Sequence, residues 1–198
     1  MILSIIIGSI FVNNFVLSKF LGLCPFFGIS RKTSTALGMG VAVTFVNVMA
    51  SIISWLAYRY LLLPNDLWYL RTPTFILIIA AFVQLVEFFI HRYSPMLFKA
   101  FGIYLPLITT NCVVLGVAVL NSDVFFKDNK PVPGSFVLSI VQGFAVGVGY
   151  TLALFLMSGI RERLEYVDIP ESLKGFSIAF IIAGLMSLAF LGFSGFKM

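Results

Sequence analysis

Charge is what this chain most conspicuously lacks. Only 11% of its 198 residues are Asp, Glu, Lys or Arg, while 60% are hydrophobic. Soluble domains carry about a quarter charged residues. With a mean hydropathy of +1.06, the composition excludes a water-soluble domain and describes an integral membrane protein. Metal-ligating side chains are equally sparse, with one histidine and two cysteines. That inventory is too small for a self-contained four-ligand zinc site. Two cysteines say nothing about redox compartment. A basic patch is also missing. The net charge of +5 comes from residues scattered between apolar runs, which excludes nucleic acid as a partner and reads instead as topology signals. No Lys or Arg precedes the apolar stretch Met1–Val12 and no A-x-A site follows it, so it reads as a retained helix and not as a signal peptide.

What is present is a series of apolar runs of spanning length, for which ~20 residues are needed. The runs predict an all-α integral membrane protein with six transmembrane helices, at roughly 2–20, 37–63, 74–90, 101–120, 136–160 and 176–193. Together they form a single membrane domain over 1–198. Between them lie Gly28–Lys32, Pro64–Asp66, His91–Pro95, Asn121–Gly134 and Arg161–Gly175; the fourth is polar and Pro-rich and reads as a flexible surface connection. Loops one, three and five, with their helix ends, hold eight Lys and Arg residues. Loops two and four and the C-terminus hold five. The positive-inside rule then places the odd loops in the cytoplasm and both termini on the outer face. Asn13–Leu17 loosely echoes Asn111–Leu115, and Gly38–Ala42 resembles Gly147–Thr151. Two three-helix halves, about 1–95 and 96–198, would form an inverted repeat, an architecture in which broken helices meet at the midplane. Chance similarity among apolar segments is the alternative.

The only two cysteines fall at faults in helices 1 and 4. Cys24 lies between Gly22 and Pro25, and Pro25 removes a backbone donor and biases Cys24 away from helical geometry. Cys112 follows Pro106, Thr109, Thr110 and Asn111, polar groups that either satisfy freed backbone atoms or join helices. The plain alternative is that each cysteine is a small apolar residue that favours burial. A [2Fe–2S] cluster takes four thiolates, so this chain would need a second, similar chain to complete one. Asn13, Asn14, Asn47, Gln84, Glu87 and Gln142 are further polar groups at membrane depth. Ionisable residues there mark ion paths, and Glu87 is the one acid among them, although it also lies a turn before His91 and Arg92 and would pair with them equally well. Gly143-Phe-Ala-Val-Gly147 is a small-residue packing face. Arg161-Glu-Arg-Leu-Glu165 reads as a solvated helix end that offers a docking surface for a soluble partner.

Four longer stretches carry a family resemblance: Asn13-Asn-Phe-Val-Leu-Ser-Lys-Phe-Leu-Gly-Leu-Cys-Pro-Phe26, Gly102-Ile-Tyr-Leu-Pro-Leu-Ile-Thr-Thr-Asn-Cys112, Gly159-Ile-Arg-Glu-Arg-Leu164 and Ala183–Gly195. Together they resemble the A subunit of the Rnf (also called Rsx) ion-translocating electron transport complex, with the E subunit of the sodium-pumping NADH:quinone reductase (Nqr) as near neighbour. The resemblance implies a bacterial or archaeal cytoplasmic (inner) membrane protein paired pseudo-symmetrically with a homologous E-type subunit, beside the B, C, D and G subunits of Rnf. It implies a [2Fe–2S] cluster held by Cys24 and Cys112 together with two cysteines of the partner, relaying electrons between ferredoxin and NAD with movement of Na⁺ or H⁺. FMN, riboflavin and NAD would sit on the other subunits. Asn14, Glu87, Thr109, Thr110 and Asn111 are the candidates for an ion path or for support of the helix breaks. The other readings are the equivalent Nqr subunit, or a cluster-free secondary transporter or scaffold.

Overall fold

A computed structural model describes residues 2–30, 32–65, 68–93, 107–108, 110–127, 130–131, 133–167, 170 and 175–195. Seven α-helices occur among these residues: α1 (Ile2–Ile7), α2 (Leu23–Ile29), α3 (Thr33–Ala57), α4 (Arg71–Tyr93), α5 (Cys112–Phe125), α6 (Ser135–Leu164) and α7 (Phe176–Leu191). Short π-helical turns extend α1 through Val12 and α3 through Leu62. Two continuous helices, Thr33–Leu62 and Ser135–Leu164, have 30 residues each and are apolar enough to cross a membrane. At 1.5 Å per residue, each is about 45 Å long, against about 30 Å of hydrocarbon. Their ends therefore reach the polar layers. Large apolar side chains such as Val41, Leu77, Phe88, Phe144 and Leu188 face outward. On a soluble protein such a surface would be a liability, but against lipid it is the expected one.

The centre is the antiparallel crossing of α3 and α6. The glycines of α6 make it close. A methyl group at Gly147 would come within 2.7 Å of the Thr44 Cα, and one at Gly40 of α3 would meet the Thr151 side chain. The exchange is reciprocal: each helix offers a glycine to the other's threonine, four residues along. Each threonine hydroxyl donates to its own helix, Thr44 to the Gly40 carbonyl (2.7 Å) and Thr151 to the Gly147 carbonyl (2.8 Å). Gly143 backs onto Ser51 and the Asn47 carbonyl, so the small-residue run is a packing face, as expected. The equivalent pairs, Gly40/Thr44 and Gly147/Thr151, stand two residues out of register with the sequence echo of Gly38 and Gly147.

Several sequence expectations need correction. The first apolar run, 2–20, is helical only to Val12: the chain breaks over 13–22, upstream of Cys24, and a separate helix starts at Leu23. Pro25 therefore stands in the first turn of α2, where its missing N–H costs nothing, and Cys24 is helical. Of the fourth run the described residues show helix at 107–108 and then α5 from Cys112; the expected start at Phe101 lies among residues 94–106, which, with Pro106 and Thr109, are outside the described residues. The Asn121–Gly134 stretch is not all loop. Helix α5 continues to Phe125, and strands β1 (Phe126–Lys127) and β2 (Lys130–Pro131) pair antiparallel. The hairpin is held by Phe126 against Trp55 and Tyr58, with ring centroids 6.0 and 4.5 Å apart. Finally, Arg161 and Glu162 are half-buried ties to the preceding segments and not merely solvated charges. The Arg161 guanidinium donates to the Phe27 carbonyl and the Ser30 hydroxyl, both at 2.8 Å, and the Glu162 carboxylate accepts from the Thr33 amide at 2.8 Å. One short sequence thus caps the end of α2 and the start of α3. Among the described residues, Arg163, Glu165, Tyr166 and Val167 form the exposed surface there.

Candidate metal centre at two helix breaks

A break in a membrane helix frees backbone N–H and C=O groups that lipid cannot satisfy. At the first break the protein supplies the partners. Asn14 is fully buried. Its Oδ1 accepts from the amides of Val16 (3.0 Å) and Leu17 (3.3 Å), and its Nδ2 donates to the carbonyls of Ile10 (3.1 Å) and Gly149 (3.0 Å). The Ser187 hydroxyl donates to the Leu17 carbonyl at 2.7 Å. Asn14 so acts as a cap for the chain after it and ties the break to α6. It is a support residue.

The chain then turns through two left-handed residues, Phe20 (φ 54°) and Gly22 (φ 76°). Glycine is required at the second for space as well as conformation. A Cβ there would lie 2.6 Å from Val113 Cγ2, 2.8 Å from Asn111 Oδ1 and 3.3 Å from Tyr150 Cε2. Gly22 is thus the point at which the first break touches the second. Two residues on, Cys24 occupies the first turn of α2. Cys112 opens α5 next to Asn111. Both thiols are free and exposed on the single chain. They are therefore not buried packing residues, the plain reading available from sequence.

At the second break the accounting is incomplete. Asn111 caps α5, its Oδ1 accepting from the Val113 amide at 3.0 Å. Its buried Nδ2 and the buried Tyr150 hydroxyl face each other without a well-formed hydrogen bond, and neither has another partner among the described residues. Tyr150 lies beside Asn111 and within electrostatic reach of Cys24. Two donors whose one described neighbour is each other therefore stand next to the two thiol-bearing turns. Buried donors without acceptors are rare in native proteins, and a sulfur-rich anionic group seated on the thiols would supply acceptors. The donor set fits a thiolate-held cluster but fills only half of it; among the described residues no group of three or more metal-ligating side chains occurs.

The remaining sequence candidates divide. Asn14, Cys24, Asn111 and Cys112 gather at this junction. Thr110 is exposed, with its carbonyl 4.0 Å from the Cys112 sulfur. Glu87, half-buried on α4, is joined to the junction by no contact among the described residues. Tyr150 was invisible to sequence reasoning, being one aromatic among many in an apolar helix.

Comparison with known proteins agrees with the membrane class. Residues 2–197 match the family model described as Rnf-Nqr subunit, membrane protein. The chain is similar to the A subunit of the Na(+)-translocating ferredoxin:NAD(+) oxidoreductase complex of Acetobacterium woodii, at 54% identity over 98% of this chain and 97% of that one. It is also similar to the A subunit of the ion-translocating oxidoreductase complex of Vibrio vulnificus, at 54% identity over 96% of this chain and 95% of the other. For the subunit of the same name in Aliivibrio fischeri, the figures are 53%, 98% and 96%.

Proposed function

This chain belongs to the Rnf-Nqr family of membrane subunits, and from that premise we propose that it is the A subunit of an ion-translocating ferredoxin:NAD oxidoreductase complex, in which it holds half of an intramembrane [2Fe–2S] site. Cys24 and Cys112 would give two thiolates, and a homologous E-type subunit the other two. Such a group would supply one-electron carriage inside the low-dielectric layer. The observation that carries the reading is the junction at Gly22 and Asn111: two exposed thiols on adjoining helix starts, with a buried amide and a buried hydroxyl beside them that have only each other among the described residues.

The chain's own residues have three tasks here. Asn14 and Ser187 fix the first break, so that Cys24 is presented from a rigid turn. Asn111 starts α5 at Cys112 and holds its amide nitrogen beside the site. Tyr150 supplies a second donor; hydrogen bonds to cluster sulfurs raise reduction potential. The six-span count, the cytoplasmic odd loops and the pseudo-two-fold relation of the halves belong to the same proposal. The last is supported by the Gly40–Thr151 and Gly147–Thr44 exchange and by the matching backbone caps at Asn14 and Asn111.

The test is iron and acid-labile sulfide per purified complex, with optical and paramagnetic spectra, for Cys24→Ser and Cys112→Ser. Both variants are expected to lose the signals assigned to this site. Retention of those signals in either variant contradicts the ligand assignment.

A further inference from the structure

A second set of unsatisfied polar atoms lies well away from the thiols. Helix α3 carries Asn47, Ser51 and Ser54 at i, i+4 and i+7, hence on one face, and all three are buried. Asn47 stands halfway along the 30-residue span Thr33–Leu62. Across from it, α6 presents Ser139 and α5 presents Asn121, both buried. These groups form a connected column. The Ser51 hydroxyl donates to the Asn47 carbonyl (2.8 Å), the Ser139 hydroxyl to the Ser51 carbonyl (3.4 Å), and Asn121 Nδ2 to the Ser139 hydroxyl (2.8 Å). Among the described residues, three of its atoms have no partner: Asn47 Nδ2, Asn47 Oδ1 and Asn121 Oδ1.

Orphans of both kinds decide what the column holds. Each unsatisfied polar group inside a membrane costs several kcal/mol. A bare cation would satisfy the oxygens but leave Asn47 Nδ2 without an acceptor. Water serves donor and acceptor alike and needs two to four polar partners, which this column provides. The column contains no carboxylate, so a cation would be held only by neutral oxygens and would pass through instead of staying. Asn121 is followed by Ser122 and Asp123, which line an open polar recess with Arg71, Tyr58 and Tyr69 at the end of the bundle where α4 begins. At its deep end the column reaches Gly143, which backs onto the Asn47 carbonyl. Gly143 precedes Tyr150 by seven residues, about 10 Å along the helix axis.

We propose that α3, α5 and α6 enclose a hydrated passage for a small monovalent cation, running from the recess at Asp123 to Asn47 and ending close to the thiol junction. The inference rests on the ion-translocating reading above. The Arg71–Asp123 ion pair closes the mouth, and Asn47 is the inner terminus.

The experiment uses the whole complex in proteoliposomes. Asn47→Leu and Asn121→Leu replace the orphaned amides by apolar groups of similar size. The membrane potential per electron transferred, read with a voltage-sensitive dye, is expected to fall at least tenfold, with the iron–sulfur spectra unchanged. Full potential in both variants overturns the passage. Water access is read independently by Ser51→Cys against Val43→Cys, a buried apolar position on the same helix. A small methanethiosulfonate reagent should label the first and not the second, over the wild-type background. Equal inertness means a dry column and sinks the proposal even if the leucine variants fail to assemble. Loss of spectra in the cysteine-to-serine variants is a separate readout, so failure here and failure of the cluster assignment are told apart.

Discussion

The two helix breaks solve the same problem differently. Each has an asparagine whose Oδ1 caps the following chain, accepting from the amide two residues on, at Val16 and at Val113. At Asn14 the amide nitrogen is used as well, by two carbonyls, one of them on α6. At Asn111 it meets no carbonyl among the described residues and faces only the neighbouring Tyr150 hydroxyl. A protein that closes one break completely does not leave the other half-closed for want of polar groups. The difference separates a break built for rigidity from one that keeps donors in reserve.

Substitutions can sharpen that contrast. The largest effect is expected from Asn14→Leu, which orphans four backbone groups and should cost about 4 kcal/mol at roughly 1 kcal/mol per lost bond. The midpoint of thermal inactivation of the complex reads it. Gly22→Ala should follow at about 3 kcal/mol, from the left-handed backbone and the overlap with Val113 and Asn111, and should separate the two thiol-bearing turns, with loss of iron per complex. Asn111→Leu loses one cap, about 1 kcal/mol, yet should displace the reduction potential of the site, whereas Asn14→Leu, in whatever fraction assembles, should not. The smallest effect on stability belongs to Tyr150→Phe. Removing a hydroxyl that has no well-formed hydrogen bond should leave stability within about 0.5 kcal/mol, while a potentiometric titration should find the centre more reducing. An unchanged potential in both the Asn111 and Tyr150 variants would erase the distinction between the breaks.

Much of this was legible from residues alone. Apolar run length gave the spans of α3, α4, α6 and α7 to within a few residues, because lipid imposes a length on a helix. Asn14 and Asn111 stood out because an amide at membrane depth demands partners. The position of the first break was misread. Pro25 looked like a breaker, but proline is equally at home in a first turn, and only the restart at Leu23 distinguishes the two. The hairpin after α5 escaped notice because two-residue strands leave no periodicity, and its anchors, Trp55 and Tyr58, lie on another helix. Arg161 and Glu162 looked like solvated charges because their partners, a carbonyl and hydroxyl near the end of α2 and an amide at the start of α3, are about 130 residues away and mostly main-chain. Tyr150 became a site residue through its neighbours Gly22 and Asn111, not through any local signal.

The glycine–threonine exchange between α3 and α6 also limits how the molecule can move. Each threonine sits in a notch that only glycine provides: a methyl group at Gly40 or Gly147 would overlap it. Sliding one helix past the other would move each threonine out of its notch. The central pair therefore works as a keel that resists shear. Any displacement that follows a change of charge at the thiols must therefore fall outside this central pair.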